Sequence, residues 1–180
     1  MFNKAVLISI HPKWCEKIAS GEKTIEVRKT RPKIDTPFKC FIYCTESNTK
    51  NPWKLLEIHS SDGKIHKGNG KVIGEFICDY WYQFFYNETE YSTILTKLGC
   101  LSIDEVWEYG KGKTLYGWHI SDLKIYDEPK ELGEFYKPCP NDAPCKLCKC
   151  VLVYEDNLIT CGNKITRPPQ SWCYVEAENG

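Results

Sequence analysis

Residues 21–28 read Gly-Glu-Lys-Thr-Ile-Glu-Val-Arg, and they set two cations, Lys23 and Arg28, around one carboxylate, Glu26. The alternation through residues 24–28 predicts a strand. On it Ile25 and Val27 would face a core, while Thr24, Glu26 and Arg28 point the other way. Such a set can do two kinds of chemistry. Lys23 beside Arg28 could bind a phosphate or a base carbonyl. Glu26 could accept hydrogen bonds from an exocyclic amine, or serve as a general base if partial burial raises its pKa. If the protein is an enzyme, Lys23 and Glu26 are the catalytic candidates. The same residues could also be a salt-bridge set, either on the surface or holding a cleft wall.

The elements that must position them can be read from the flanking sequence. Residues 4–10 form an apolar run that predicts a first strand. His11-Pro12 opens a helix, with proline in the first turn where its missing N–H costs least. Trp14, Ile18 and Cys15 supply the apolar face of that helix, and Ser20-Gly21 ends it. Further strands are predicted at 24–30 and 38–45. Residues 46–70 are polar and rich in turn signals, which predicts a loop or loose hairpin inserted in the fold. Strand character returns at 72–82, residues 83–100 are ambiguous, and Ser102 with Glu105 marks a capping box before a short helix ending near Tyr109. Residues 115–126 read as one strand, 129–135 as a turn plus a helical turn, and 172–176 as a last strand.

Other side chains belong to the same candidate site. Trp14, Trp118 and Trp172 each lie beside polar residues. An aromatic platform next to a cation, such as Trp14 beside Lys13, suits base stacking; a core role is the alternative for each. His119 alternates with Trp118, so one faces in and the other out. His119 is either an acid–base group or a hydrogen-bonded structural histidine, and His11 is similarly open. Residues 167–171, Arg-Pro-Pro-Gln-Ser, form a stiff extended segment. It is either a rim offering Arg167 or Ser171, or a rigid lead-in to the last strand.

Composition bounds the class. With 180 residues, 42% apolar and 13% aromatic, the chain has room for a real core. Apolar runs are too short to span a membrane. The N-terminus lacks a secretory h-region and cleavage site, which predicts a cytoplasmic protein. Net charge is +0, yet residues 1–40 carry nine Lys/Arg against four acids, so a basic N-terminal quarter sits on an acidic remainder. That is either one positive surface or scattered solvated lysines.

Of eleven cysteines, six (Cys15, Cys40, Cys44, Cys78, Cys100, Cys173) stand apart and read as buried reduced thiols. The other five are spaced Cys139-x5-Cys145-x2-Cys148-x-Cys150-x10-Cys161. The Cys145/Cys148 pair is a zinc half-site that Cys139 and Cys161 could complete, giving a structural four-thiolate site. The alternative is a cluster of free thiols; no other cofactor is required.

The run Ser9-Ile10-His11-Pro12-Lys13-Trp14-Cys15-Glu16-Lys17-Ile18, then Gly21, Lys23, Glu26 and Arg28 in the pattern Gly-x-Lys-x-x-Glu-x-Arg, resembles the ASCH domain of the PUA-like superfamily. Residues 70–76, 117–122 and 167–175 also resemble phage and mobile-element bacterial members. The likeness covers most of the chain outside 46–69, 83–99 and 137–163. It implies an α+β fold: a small, mixed, mostly antiparallel PUA-like β-barrel with short helices packed on one side. The motif residues would form the floor of a cleft between barrel and helices. Residues 1–180 would be one domain, with insertions at about 46–70 and 137–163. PUA-like relatives bind RNA or modified bases, some small ASCH members are amidohydrolases acting on N4-acetylcytidine, and a ribonuclease activity is attributed to another. In the amidohydrolases a threonine stands where this sequence has Glu26, and Thr24 is not at that position.

The leading expectation is therefore binding of RNA or a modified nucleoside, not a membrane, by Lys13, Trp14, Lys23, Thr24, Glu26, Arg28, Trp118, His119, Arg167 and Ser171. An amidohydrolase or ribonuclease on the same scaffold is the second reading, and a protein-interaction module of a mobile element the third. The sequence leaves the oligomeric state open.

Overall fold

From Ala5 to Ile10 every side chain is buried, so this strand is covered on both faces. Val6, Ile8 and Ile10 enter one core cluster, and Ala5 and Leu7 enter another. A continuous apolar run, rather than an alternating one, is the mark of such a strand. The computed structural model describes residues 4–46, 55–85, 90–139, 152–155 and 158–177; for 90–92 and 152–161 it describes the backbone alone.

The elements run β1 Lys4–Ile10, α1 Pro12–Ala19, β2 Ile25–Arg28, β3 Phe38–Cys44, β4 Glu57–His59, β5 Ile65–Lys67, β6 Lys71–Cys78, β7 Trp81–Phe84, α2 Glu90–Gly99, α3 Ile103–Gly110, β8 Leu115–His119, β9 Ser121–Lys130, a 3-10 turn Leu132–Glu134, β10 Leu152–Glu155, β11 Leu158–Cys161 and β12 Trp172–Glu176. A five-stranded sheet has the order β12-β1-β3-β6-β9, and a three-stranded sheet has the order β2-β8-β7. β4–β5 and β10–β11 are hairpins. Among the described pairings only β1–β3 is parallel, and α1 lies in that crossover.

The closed barrel expected from the resemblance is not what the strands form. Two sheets face each other, linked at two corners. The chain leaves β6 of the larger sheet and enters β7 of the smaller one across Asp79-Tyr80. It returns from β8 to β9 across Ile120, whose N–H donates to the Thr24 carbonyl at 2.9 Å. These corners are why the expected single strands at 72–82 and 115–126 are each two. Between the sheets Trp118 is fully buried, edge-on to Phe38 and Trp172 with centroids 5.9 and 6.0 Å apart. Cys15 and Ile18 bring α1 into the same cluster.

The outer face of the small sheet carries Ile25, Val27, Phe84 and Leu115, covered by Leu95 of α2 and by Val106 and Tyr109 of α3. The ambiguous stretch 83–100 thus contains a helix, held by this packing. The capping box before α3 forms as expected: the Ser102 side chain accepts from the Glu105 N–H, and the Glu105 carboxylate accepts from the Ser102 N–H. On the far face of the large sheet Phe135 is fully buried against Phe41, ring centroids 5.0 Å apart. Phe135 and the 3-10 turn before it therefore close a core rather than opening a loop.

Cys15, Cys40, Cys44 and Cys78 are buried free thiols; Cys100 and Cys173 are free and partly exposed. Cys145 and Cys148 lie outside the described residues, and of Cys161 only the backbone is described, so the zinc expectation falls outside what the structure describes. Among the described residues no three His, Cys, Asp or Glu side chains form a metal cluster, and no helix is long and apolar enough to cross a membrane.

Candidate functional site

Gly21 sets the site up. It has φ +78°, a left-handed conformation that glycine adopts without strain, and its N–H closes α1 onto the Ile18 carbonyl at 3.0 Å. The chain then doubles back, and the Lys23 N–H donates to the Lys17 carbonyl at 2.9 Å. This turn drives the Lys23 side chain inward before β2 begins. In β2, Glu26 stands opposite Trp118 and Arg28 opposite Tyr116, while Ile25 and Val27 pair with His119 and Gly117. Alternation therefore sends Ile25 and Val27 beneath α2 and α3, and Glu26 and Arg28 to the other face.

Three charged side chains meet there, nearly closed off from solvent. Lys23 Nζ donates to the Gly99 carbonyl at the end of α2, at 2.8 Å, and lies 3.5 Å from Glu26 Oε2. Arg28 Nη2 lies 3.0 Å from Glu26 Oε1 and donates to the Ser9 carbonyl at 2.6 Å. The side chains of Lys23, Glu26 and Arg28 are only 2%, 7% and 12% exposed, which rules out a surface salt-bridge set. Burial lowers the Lys23 pKa below its ordinary value, and the Glu26 carboxylate opposes that shift. Two cations against one anion leave a net positive floor. Among the described residues, Glu26 Oε2, Arg28 Nε and Trp118 Nε1 are buried and find no hydrogen-bond partner.

Above this floor opens a cleft of about 640 Å³, within the usual range for small-molecule sites. His11 and Trp14 from the start of α1 form one wall, and Leu101 and Tyr109 from the α2–α3 region another. Thr45 and Glu46 after β3 contribute, and residues 168–171 form the rim. Ser9 ties rim to floor. Its hydroxyl donates to the Pro169 carbonyl at 2.6 Å, its N–H donates to the Ser171 carbonyl at 2.9 Å, and its own carbonyl accepts from Arg28. Trp14 carries cations on its ring: Lys13 Nζ is 4.2 Å and Lys23 Nζ 5.2 Å from the centroid.

A family model for the ASCH domain matches residues 8–138. The chain belongs to the ASCH domain family. That family is generally linked to RNA binding. Among solved structures the chain is similar to ASCH from Zymomonas mobilis, with 19% identity, 99% of this chain and 92% of that one covered, and a TM-score of 0.60. A serine-to-alanine mutant of that protein matches with 19% identity, 98% and 92% coverage and a TM-score of 0.57. These likenesses carry the fold. No curated protein matches the sequence.

Of the ten ligand-binding candidates in this ASCH chain, Trp14, Lys23, Glu26, Arg28 and Ser171 line the cleft together. The other five do not. Lys13 is ion-paired with Glu105 of α3 at 2.8 Å. Thr24 uses its backbone N–H on the Leu98 carbonyl and does not line the cleft. Trp118 is a core ring. His119 lies on the opposite face of β8, where Nδ1 is 2.6 Å from Asp79 Oδ1 and the ring stacks on Tyr80 at 4.3 Å. Arg167 is exposed, one residue before the rim.

Sequence reasoning missed Ser9, Tyr43, Thr45, Glu46 and Tyr109. Ser9 did carry a signal: it is the one polar residue inside an apolar run, and a hydroxyl there needs a partner. Tyr109 sits three residues after Val106 on the apolar face of α3, a pattern that reads as core.

Proposed function

We propose that this ASCH chain binds single-stranded RNA or a modified nucleoside in the cleft above Lys23, Glu26 and Arg28. The observation that carries the reading is the buried triad of two cations and one carboxylate, Lys23, Arg28 and Glu26, at the floor of the cleft. Arg28 and Lys23 would donate to a phosphate or a base carbonyl, and Glu26 would accept from an exocyclic amine. Trp14 and Tyr109 supply aromatic walls of the kind on which bases stack. The volume suits one nucleoside rather than a duplex.

The test is fluorescence anisotropy with a short labelled RNA. Binding should saturate, weaken as salt rises and leave the RNA intact, and Trp14→Ala should weaken it. Absence of binding at low salt would overturn the reading and leave a protein-interaction module.

One observation favours an enzyme as the second reading: Lys23 and Glu26 lie 3.5 Å apart, nearly closed off from solvent, at the floor of the cleft. That reading predicts release of acetate from N4-acetylcytidine, or cleavage of RNA, lost in a Lys23→Met variant whose circular dichroism is unchanged.

A further inference from the structure

Immediately after the motif, residues 29–33 read Lys-Thr-Arg-Pro-Lys, and all three cations are exposed. Among the described residues none of the three is in an ion pair. Exposed Asp35 is the nearest acid in the sequence, so the segment keeps a positive surplus.

The loop is anchored rather than loose. The Thr30 hydroxyl accepts from Trp172 Nε1 at 3.0 Å, and the Lys33 N–H donates to the Tyr174 hydroxyl at 2.7 Å. Both anchors come from β12, so two points of the loop are fixed to the large sheet. The cations are placed as well. Lys29 Nζ sits 4.7 Å from the Tyr109 ring centroid, and the Arg31 guanidinium lies 4.1 Å over Trp81, which in turn packs on Tyr116. A cation held on a ring face has less conformational freedom to lose when it meets an anion. Tyr109 also lines the cleft, so the basic loop is continuous with it.

We propose that loop 29–33 is a phosphate track for the single-stranded RNA segment that adjoins the nucleotide in the cleft. Lys29, Arg31 and Lys33 bind successive backbone phosphates without reading sequence, and Trp81 with Arg31 forms a cation–aromatic pair beside the strand. The proposal rests on the cleft being an RNA site. It adds what the cleft alone does not predict: affinity that grows with RNA length and carries a separable salt dependence.

The experiment compares the wild type with the triple variant Lys29→Gln, Arg31→Gln, Lys33→Gln. These residues are exposed and outside the core, so the fold should persist. Each protein is titrated with a uridine mononucleotide and with a single-stranded RNA of about ten nucleotides, a length within the site sizes of single-strand-binding OB folds, across a salt series. Losing three phosphate contacts on a single strand should flatten the slope of log K against log salt by roughly 2. Mononucleotide affinity should not change. An unchanged slope on the longer RNA overturns the track while leaving the cleft reading intact. Equal loss on mononucleotide and longer RNA also overturns it, because the loop would then belong to the cleft. A wild type that binds neither overturns track and cleft together.

Discussion

The Ser9 carbonyl accepts from Arg28 Nη2 at 2.6 Å while the Ser9 hydroxyl donates to the Pro169 carbonyl at the same distance. One residue at the end of β1 thus joins the charged floor to the proline-rich rim. Ser9→Ala keeps the backbone contact to Arg28 and removes the hydroxyl, leaving the Pro169 carbonyl without it. Stability should fall by about 1 kcal/mol in urea unfolding. Amide exchange at Ser9, whose N–H donates to the Ser171 carbonyl, should quicken while β3 and β6 stay protected. Uniform exchange across the chain would contradict the latch.

Glu26 is the shared partner of two buried cations. Glu26→Gln keeps the shape and leaves Lys23 and Arg28 without a counter-charge, which should cost roughly 3 kcal/mol of stability. Nucleoside affinity should drop at least about tenfold, equivalent to ~1.4 kcal/mol. Calorimetric titration of the refolded variant checks it. If fold and binding both survive unchanged, Glu26 plays neither part.

The buried thiols make stability depend on alkaline pH. Burial, with the neighbouring Asp79 carboxylate adding to it, raises the Cys78 pKa from 9.0 to about 12. Between those values the unfolded chain gives up the proton and the folded chain keeps it. The stabilisation is therefore complete below pH 9.0 and is lost as pH rises toward about 12. Cys15 and Cys40, also raised by burial, act in the same direction. Urea unfolding of wild type against Cys78→Ala across this window should show the wild type losing up to about 1.4 kcal/mol per pH unit more. Parallel pH profiles would contradict the assignment.

Gly74 in β6 pairs with Ile125 of β9. A Cβ there would run into the Lys124 carbonyl oxygen and within 3.1 Å of the Ile125 Cα. Backbone cannot yield as a side-chain tip does, so Gly74→Ala should cost about 1–3 kcal/mol and lower the Tm. An unchanged Tm would show that the β6–β9 register, already irregular at this point, shifts freely.

Much of the site was legible before the fold. The bounds of β1, α1 and β12, the capping box at Ser102, and the facing of Glu26 and Arg28 away from Ile25 and Val27 all come from local rules. What local rules miss is where one strand changes sheet. The stretch 115–126 is β-prone on both sides of Ile120, and the corner is fixed from outside it: the Ile120 N–H finds its partner at Thr24, far back in the chain. For the same reason Trp118 and His119 looked like site residues. Their alternation was readable, but which face of β8 looks onto the cleft depends on the pairing with β2. Tyr109 is the converse case: its spacing says core, and only the fold brings it to the cleft edge beside Leu101.

The most direct test of the cleft as an RNA site leaves the protein unaltered. A single-stranded RNA carrying 4-thiouridine is photo-cross-linked to the wild-type chain, and the adducts are mapped by mass spectrometry. The account predicts adducts on peptides containing His11 and Trp14, Tyr109, or Gln170 and Ser171, suppressed by excess unlabelled RNA and by salt. Adducts confined to other faces, such as the Asp79–His119 surface or the β4–β5 hairpin, or no adducts at low salt, would contradict it.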